Sequence, residues 1–211
     1  MYGTPGSSTY DLTHTNTNSS TIKTFLEDWY EDNLLSNYDD KISYDAGFCV
    51  DRHKAGEELG YGQNHTVYAF FNGVGRQLSC PDSERDLFTT SASTVGNKKL
   101  KYPIGLITGP ETIYAGHYVE ENKDTYLING TNFWTMTPGL FGENKTYGDV
   151  AYIAAARSNG IIGSGKVANL SEWVRPVINL KSNVQLSTDL PEGCTKLDGT
   201  EACPYIIDTN S

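Results

Sequence analysis

Four cysteines and four histidines are the side chains best suited to chemistry in this 211-residue chain. A zinc centre needs Cys-x-x-Cys pairs or histidines at ligand spacing. Neither occurs among Cys49, Cys80, Cys194 and Cys203 or His14, His53, His65 and His117. Only His53 lies near a cysteine, and the scattered histidines are expected at the surface. Four cysteines allow three disulfide pairings. Cys194 and Cys203 flank "TKLDGTEA", where Asp198-Gly199 signals a tight turn that brings the two together. Cys49–Cys80 then follows by elimination, with free thiols as the alternative. Two bridges imply an oxidising compartment, extracellular, cell-surface or periplasmic.

Other chemistry leaves weaker traces. No Ser-His-Asp order appears, and "GIIGSGKVA" lacks the Lys-Ser/Thr ending and helix of a phosphate-binding loop. Carboxylates are common in the loops, but no pair stands out for glycoside hydrolysis. Asp39, Asp40 and Asp45 are candidates for incidental calcium binding. The formal charge of −10 argues against nucleic acid as a partner, and the short run Lys98-Lys99-Leu100-Lys101 reads as a solvated loop. No apolar run approaches the roughly 20 residues that span a bilayer, so direct membrane insertion is not expected. No secretory signal is visible; the opening "MYGTPGSSTYDLTHTNTNSS" reads either as an exposed N-terminus or as the start of a piece of a longer protein. Asn-x-Ser/Thr patterns at Asn18, Asn64, Asn129, Asn144 and Asn169 fit chance in so Asn- and Thr-rich a chain.

These residues need elements to position them. Asn18-Ser19-Ser20 supplies capping side chains for "TIKTFLEDWYEDNLL", where Ile22, Phe25, Leu26, Trp29 and Tyr30 recur at helical spacing. A helix of about four turns is predicted, with acidic residues crowding the end where the dipole prefers cations. Residues 37–100 read as a long loop region carrying "NYDD", "GYGQN", "TVYAFF", "NGVG" and "CPDSER". A Cys49–Cys80 bridge would staple it. Residues 101–211 form the β-rich half. There Ile104–Ile107 is a short strand, and Thr108 caps a short helix with Glu111 completing a capping box. Pro110 lies in its first turn and Gly116 ends it. "TNFWTMTP", "GDVAYIAAA", "GIIGSGKVA" and "WVRPVINLK" are strand candidates, Ser158-Asn159-Gly160 makes a hairpin turn, and "PYIID" is a final short strand. Alternation of Val150, Tyr152 and Ala154 suggests one buried face.

The segment "SEWVRPVINL" is the odd one, because Pro176 can donate no ladder hydrogen bond and Arg175 resists burial. In series with "FWTMTP", "DVAYIAAARSNGII", a Gly-Thr loop and "PYII", it resembles the C-terminal C-type-lectin-like domains of surface proteins from gut Firmicutes and Mollicutes. The upstream "TNTNSSTIKTFLEDWYEDNL", "FCVDRH", "LSCPDSERDLFTT" and "YPIGLITGPETIYAG" are similar to the same family, so the resemblance covers nearly the whole chain. Two departures stand out. "PEGCTKLDGTEACPY" is a longer loop than the family's and carries its own cysteine pair. Family members also have sequence before "MYG" resembling the first strands of the domain, which favours an internal Met1.

The resemblance implies a single α+β domain over residues 1–211, with small twisted antiparallel sheets, two helices and long irregular loops. The Val-Arg-Pro-Val strand is expected centrally in a sheet. Pro176 would face a bulge or edge, and Arg175 would act as a buried structural arginine with carboxylate or carbonyl partners. Trp134 and Trp173 are expected in or at the lip of the core. The fold also houses formylglycine-generating enzymes, but their closely placed active-site cysteine pair has no counterpart here. Glu-Pro-Asn, Gln-Pro-Asp and Trp-Asn-Asp motifs of calcium-dependent sugar binding are missing too. The implied function is therefore non-enzymatic and cofactor-free: adhesion to, or recognition of, a glycan or protein at a host surface. Tyr147, Tyr152, Arg157, Asn159, Lys166, Asn169 and Trp173 are the expected ligand contacts near a β-hairpin lip. The alternative partner is an identical subunit in a pilin-like filament, with this chain as the head domain.

Overall fold

Ser20, the last of the three candidate caps, starts the first helix: its hydroxyl accepts from the Lys23 amide in a computed structural model that describes residues 15–52, 78–117, 125–144, 148–166, 172–199 and 202–208. Helix α1 (Thr21–Asn33) follows, close to the expected length. It buries Leu26 and Tyr30 and half-buries Ile22 and Trp29, but leaves Phe25 50% exposed, so the inward stripe is narrower than the apolar spacing suggests. Its acidic end is compensated from outside the helix. Lys101 pairs with Glu31, and the Lys101 amide donates to Glu27 Oε1 over 2.7 Å.

A 3-10 turn (Asp39–Lys41) leads to strand β1 (Phe48–Cys49), which pairs antiparallel with β2 (Leu87–Phe88). Between them α2 (Ser83–Asp86) is a third, one-turn α-helix where two helices were expected. Its cap, Asp82, accepts from the Arg85 amide. The predicted short strand is β3 (Gly105–Leu106), and the predicted capping box opens α3 (Gly109–Tyr114), with Thr108 and Glu111 bonding reciprocally and Gly116 at a positive φ after it.

Strand β4 (Phe133–Asn144), β5 (Gly148–Ala156) and β6 (Ile162–Lys166) form an antiparallel sheet in that order. The register between β4 and β5 shifts on both sides of Pro138, which can contribute no ladder donor. Threonines compensate for that irregularity. Thr135 donates to the Ala154 carbonyl (2.6 Å), and Thr137 accepts from the Gly109 amide (2.7 Å), both fully buried. The alternation expected on β5 gives way to a run: Ile153, Ala154, Ala155 and Ala156 are all buried. This middle strand is covered on both faces, Ile153 packing into the main cluster with Leu26, Tyr30 and Trp134, and Ala154 against Ile113 and Ile162. The Ser158–Gly160 turn closes β5 onto β6 as predicted, with Gly160 at φ +83°.

The "WVRPVINLK" segment is not a central strand. Its strand β7 is only Pro176–Val177, paired antiparallel with β3 in a two-stranded sheet, so one side of Pro176 faces an edge. The flanking residues attach elsewhere: Trp173 bridges to Phe133 and Leu180 to Ile42. The segment is a strap stitching three parts of the fold, because no single strand offers it a continuous ladder. "PYIID" likewise contributes one bridge, Leu186 to Ile207, rather than a strand. The architecture is α+β with small antiparallel sheets.

Both expected disulfides are present, Cys49–Cys80 and Cys194–Cys203, with Cα separations of 5.6 and 5.7 Å. They suggest an oxidising, extracellular environment. Among the described residues no helix is long and apolar enough to cross a membrane. Beside Cys49, Arg52 and Asp86 form a buried pair (2.8 Å) that also receives Arg85. "TVYAFF" lies outside the described residues.

Candidate functional site

Arg175 is the hub of the strap. Its guanidinium donates to the Leu127 carbonyl, to Asn129 Oδ1 and, over 3.4 Å, to Thr131 Oγ1, while stacking on the Phe133 ring. Its partners are a carbonyl, an amide oxygen and a hydroxyl rather than the carboxylates also expected. Arg175 is half-buried, and burial pulls its pKa somewhat below the ordinary value. The loop it ties down, residues 125–131, carries Tyr126, which is 68% exposed. Thr125 anchors the start of that loop through its hydroxyl to the Ala115 carbonyl (2.6 Å).

Two residues before Arg175, Trp173 is 66% exposed, which corrects its expected place in or at the lip of the core. Trp134 does lie in the core. The Trp173 side chain is outward while its main chain is pinned: its amide donates to the Asn132 carbonyl and its carbonyl accepts from the Trp134 amide, each at 3.0 Å. Next along the chain, Val174 packs on the main cluster. Glu172, its side chain only 6% exposed, pairs with Arg157 over 2.6 Å. That pair docks the strap onto the β5–β6 turn, as does Asn132, whose Oδ1 accepts from the Ser158 amide (2.8 Å).

The structure splits the expected ligand contacts. Arg157, Asn159 and Trp173 gather at the turn end of the hairpin, joined through Glu172 and Asn132. Asn159 is occupied locally, its Oδ1 accepting from the Ile161 amide. Tyr152 and Lys166 pair four residues further along the hairpin, about 14 Å away at the strand rise. Tyr152 is half-buried. Tyr147 and Asn169 lie outside the described residues. Sequence reasoning missed Tyr126, Asn129, Glu172 and Asn132. Tyr126 falls in no periodic segment, and nothing in its neighbourhood announces that an arginine about 50 residues later fixes its loop.

His117 departs from expectation in another way. It is fully buried, its ring edge-on to Phe133 with centroids 5.9 Å apart. Among the described residues neither ring nitrogen has a hydrogen-bond partner; the Arg157 main chain favours the charged form without meeting hydrogen-bond geometry. Burial dominates and holds the imidazole pKa below its ordinary value, with Arg175 acting the same way. The expected calcium carboxylates are engaged: Asp39 accepts from the phenols of Tyr30 (2.9 Å) and Tyr44 (2.6 Å), and Asp45 accepts from Ser43. Burial first, then Asp39, pushes the Tyr44 phenol up to about 12. Among the described residues no three of His, Cys, Asp and Glu gather to hold a metal ion.

No protein-family model matches the chain, and neither the curated proteins nor the solved structures contain a significant match. The site is therefore read from its own geometry: a pinned, outward-facing indole, an exposed phenol on a tied loop, and amide and guanidinium groups between them. Such an arrangement can stack on an apolar or sugar face and hydrogen-bond at its margin.

Proposed function

We propose that this chain is an extracellular, C-type-lectin-like recognition domain without enzymatic activity, which holds a glycan or protein ligand at a host surface against the strap around Trp173. The observation that carries the reading is the exposure of Trp173 on a backbone held by two hydrogen bonds. A large apolar ring left in water gains little for folding. Held rigid, it contributes contact area to a ligand at low entropic cost. Tyr126 on the Arg175-tied loop extends the same chemistry.

The test is binding of the purified domain to a glycan array and to host epithelial cells, for the wild type and for Trp173→Ala and Tyr126→Ala. Loss of about tenfold or more in affinity, with an unchanged melting temperature, is expected for a contact of this kind. Undiminished binding by both folded variants would remove the strap from the reading.

A second reading has an observation of its own. No described residue from Glu172 to Asp208 is buried, yet Leu186, Leu190, Tyr205 and Ile206 are exposed on the stretch braced by Cys194–Cys203. Exposed apolar side chains on a stapled projection suit contact with another protein. This favours a head domain on a filament of identical subunits. A repeating subunit contact seen by electron microscopy and lost in Leu186→Asp would support it.

A further inference from the structure

The main apolar cluster and the smaller one around Val50 and Phe88 do not merge. Between them lies a cavity of about 320 Å³, bounded by Leu26, Leu106 and Ile153 on one side and by Val50 and Phe88 on the other. Met136 packs against both clusters and forms part of the wall. The exposed lining residues are Ser19 and Thr21, so the cavity opens at the start of α1. Its surroundings are tight rather than loose: a Cβ at the neighbouring Gly105 would fall 2.5 Å from Phe48 and 3.1 Å from the Met136 sulfur.

Inside the rim formed by Ser19 and Thr21, the polar groups in the lining are already committed within the protein. Ser20 Oγ accepts from the Lys23 amide, Lys23 Nζ pairs with Glu27 at 2.6 Å, and Thr135 donates to the Ala154 carbonyl. A ligand carrying a charge would lose its hydration there without gaining a new partner. An apolar one would restore the dispersion contacts that the facing walls lack. An apolar cavity of about 150 Å³ holds one benzene ring, so this one has room for about eight to twelve carbon atoms.

We propose that this cavity is a binding site for a small uncharged aromatic or alkyl molecule, entering between Ser19 and Thr21 with any lone hydroxyl left at that rim. The site is separate from the Trp173 strap, and neither depends on the other.

The chain contains two methionines, Met1 and Met136, so methyl-labelled protein gives two assignable signals, one of them in the cavity wall. Titration with p-xylene and with 1-octanol is expected to move the Met136 methyl resonance saturably, at micromolar to low-millimolar concentrations. Octanoate is expected to bind at least about tenfold more weakly than 1-octanol, because its charge finds no partner. Leu100→Trp, which fills the lining from its half-buried edge, is expected to abolish the shift while the protein still melts cooperatively; Leu100→Phe serves if that variant does not fold. The proposal is overturned if saturating p-xylene leaves Met136 unmoved in the wild type, as it would if the chain itself filled the space. It is equally overturned if octanoate binds as well as the alcohol, or if the shift persists in a folded cavity-filling variant.

Discussion

The guanidinium carbon of Arg175 lies 4.0 Å from the centre of the Phe133 ring, so a cation on the strap stacks on the first residue of β4. The same guanidinium holds the 125–131 loop through a carbonyl, an amide and a hydroxyl. One side chain thus couples the strap, the sheet and the loop that presents Tyr126. Replacing it by alanine removes the stack and leaves the Leu127 carbonyl without its donor. Arg175→Ala is expected to destabilise the domain by about 2–4 kcal/mol in denaturant unfolding. Arg175→Lys recovers only part of this, because an ammonium cannot fork across three acceptors while lying flat on a ring.

The Arg52–Asp86 pair is the most enclosed ion pair among the described residues, with side-chain exposures of 2% and 0%. Burial raises the Asp86 pKa, but Arg85 and Arg52 more than reverse it, and the carboxyl ends below its ordinary value. A carboxylate depressed in the folded state contributes stability above its unfolded pKa and loses it as pH falls through the folded one. Asp86→Asn is expected to cost about 3–5 kcal/mol at pH 7, since it strands a buried guanidinium. The deficit relative to wild type should shrink below about pH 4, where the unfolded chain takes up a proton that the folded carboxyl accepts only at lower pH. Urea unfolding at pH 7 and pH 3 checks both statements.

His117 gives a pH dependence of the same sign as Asp86, but in a higher pH window and from burial rather than from pairing. Burial lowers its pKa from the ordinary 6.5, so the unfolded chain binds a proton that the folded chain refuses. Stability from this residue is complete above about pH 6.5 and declines as pH drops toward the folded pKa. His117→Leu is expected to flatten the stability profile across that window, leaving the decline below pH 4 in place. Thermal unfolding between pH 5 and pH 7.5 is the measurement.

The two disulfides should differ in their reach. Cys49–Cys80 spans 31 residues and Cys194–Cys203 spans 9, for which loop entropy alone gives about 3.7 and about 2.6 kcal/mol. The larger loop braces the β1–β2 pair beside the buried Arg52–Asp86 network, so Cys49→Ser/Cys80→Ser should lower the global melting temperature. The smaller loop belongs to a stretch in which no described residue is buried. Cys194→Ser/Cys203→Ser should chiefly raise amide exchange over residues 182–208 and barely move the main transition.

Local chemistry was legible in the chain. Ser20 and the Thr108–Glu111 box start their helices, Gly160 turns the hairpin, and Asp198-Gly199 folds Cys194 back to Cys203, each because a few neighbouring residues decide the backbone. Neighbouring residues could not decide burial. Phe25 follows helical spacing yet faces water, because the partner surface is narrower than the stripe; His117 has a surface residue's sequence context but is enclosed by Phe133 and elements far away in the chain. The strap shows the same division most clearly. Residues 173–181 announce a strand, and only the arrangement of β3, β4 and Ile42 breaks their pairing into three separate attachments and turns Trp173 outward. Backbone preference is set over a few residues, whereas exposure depends on what else in the fold arrives at the same place.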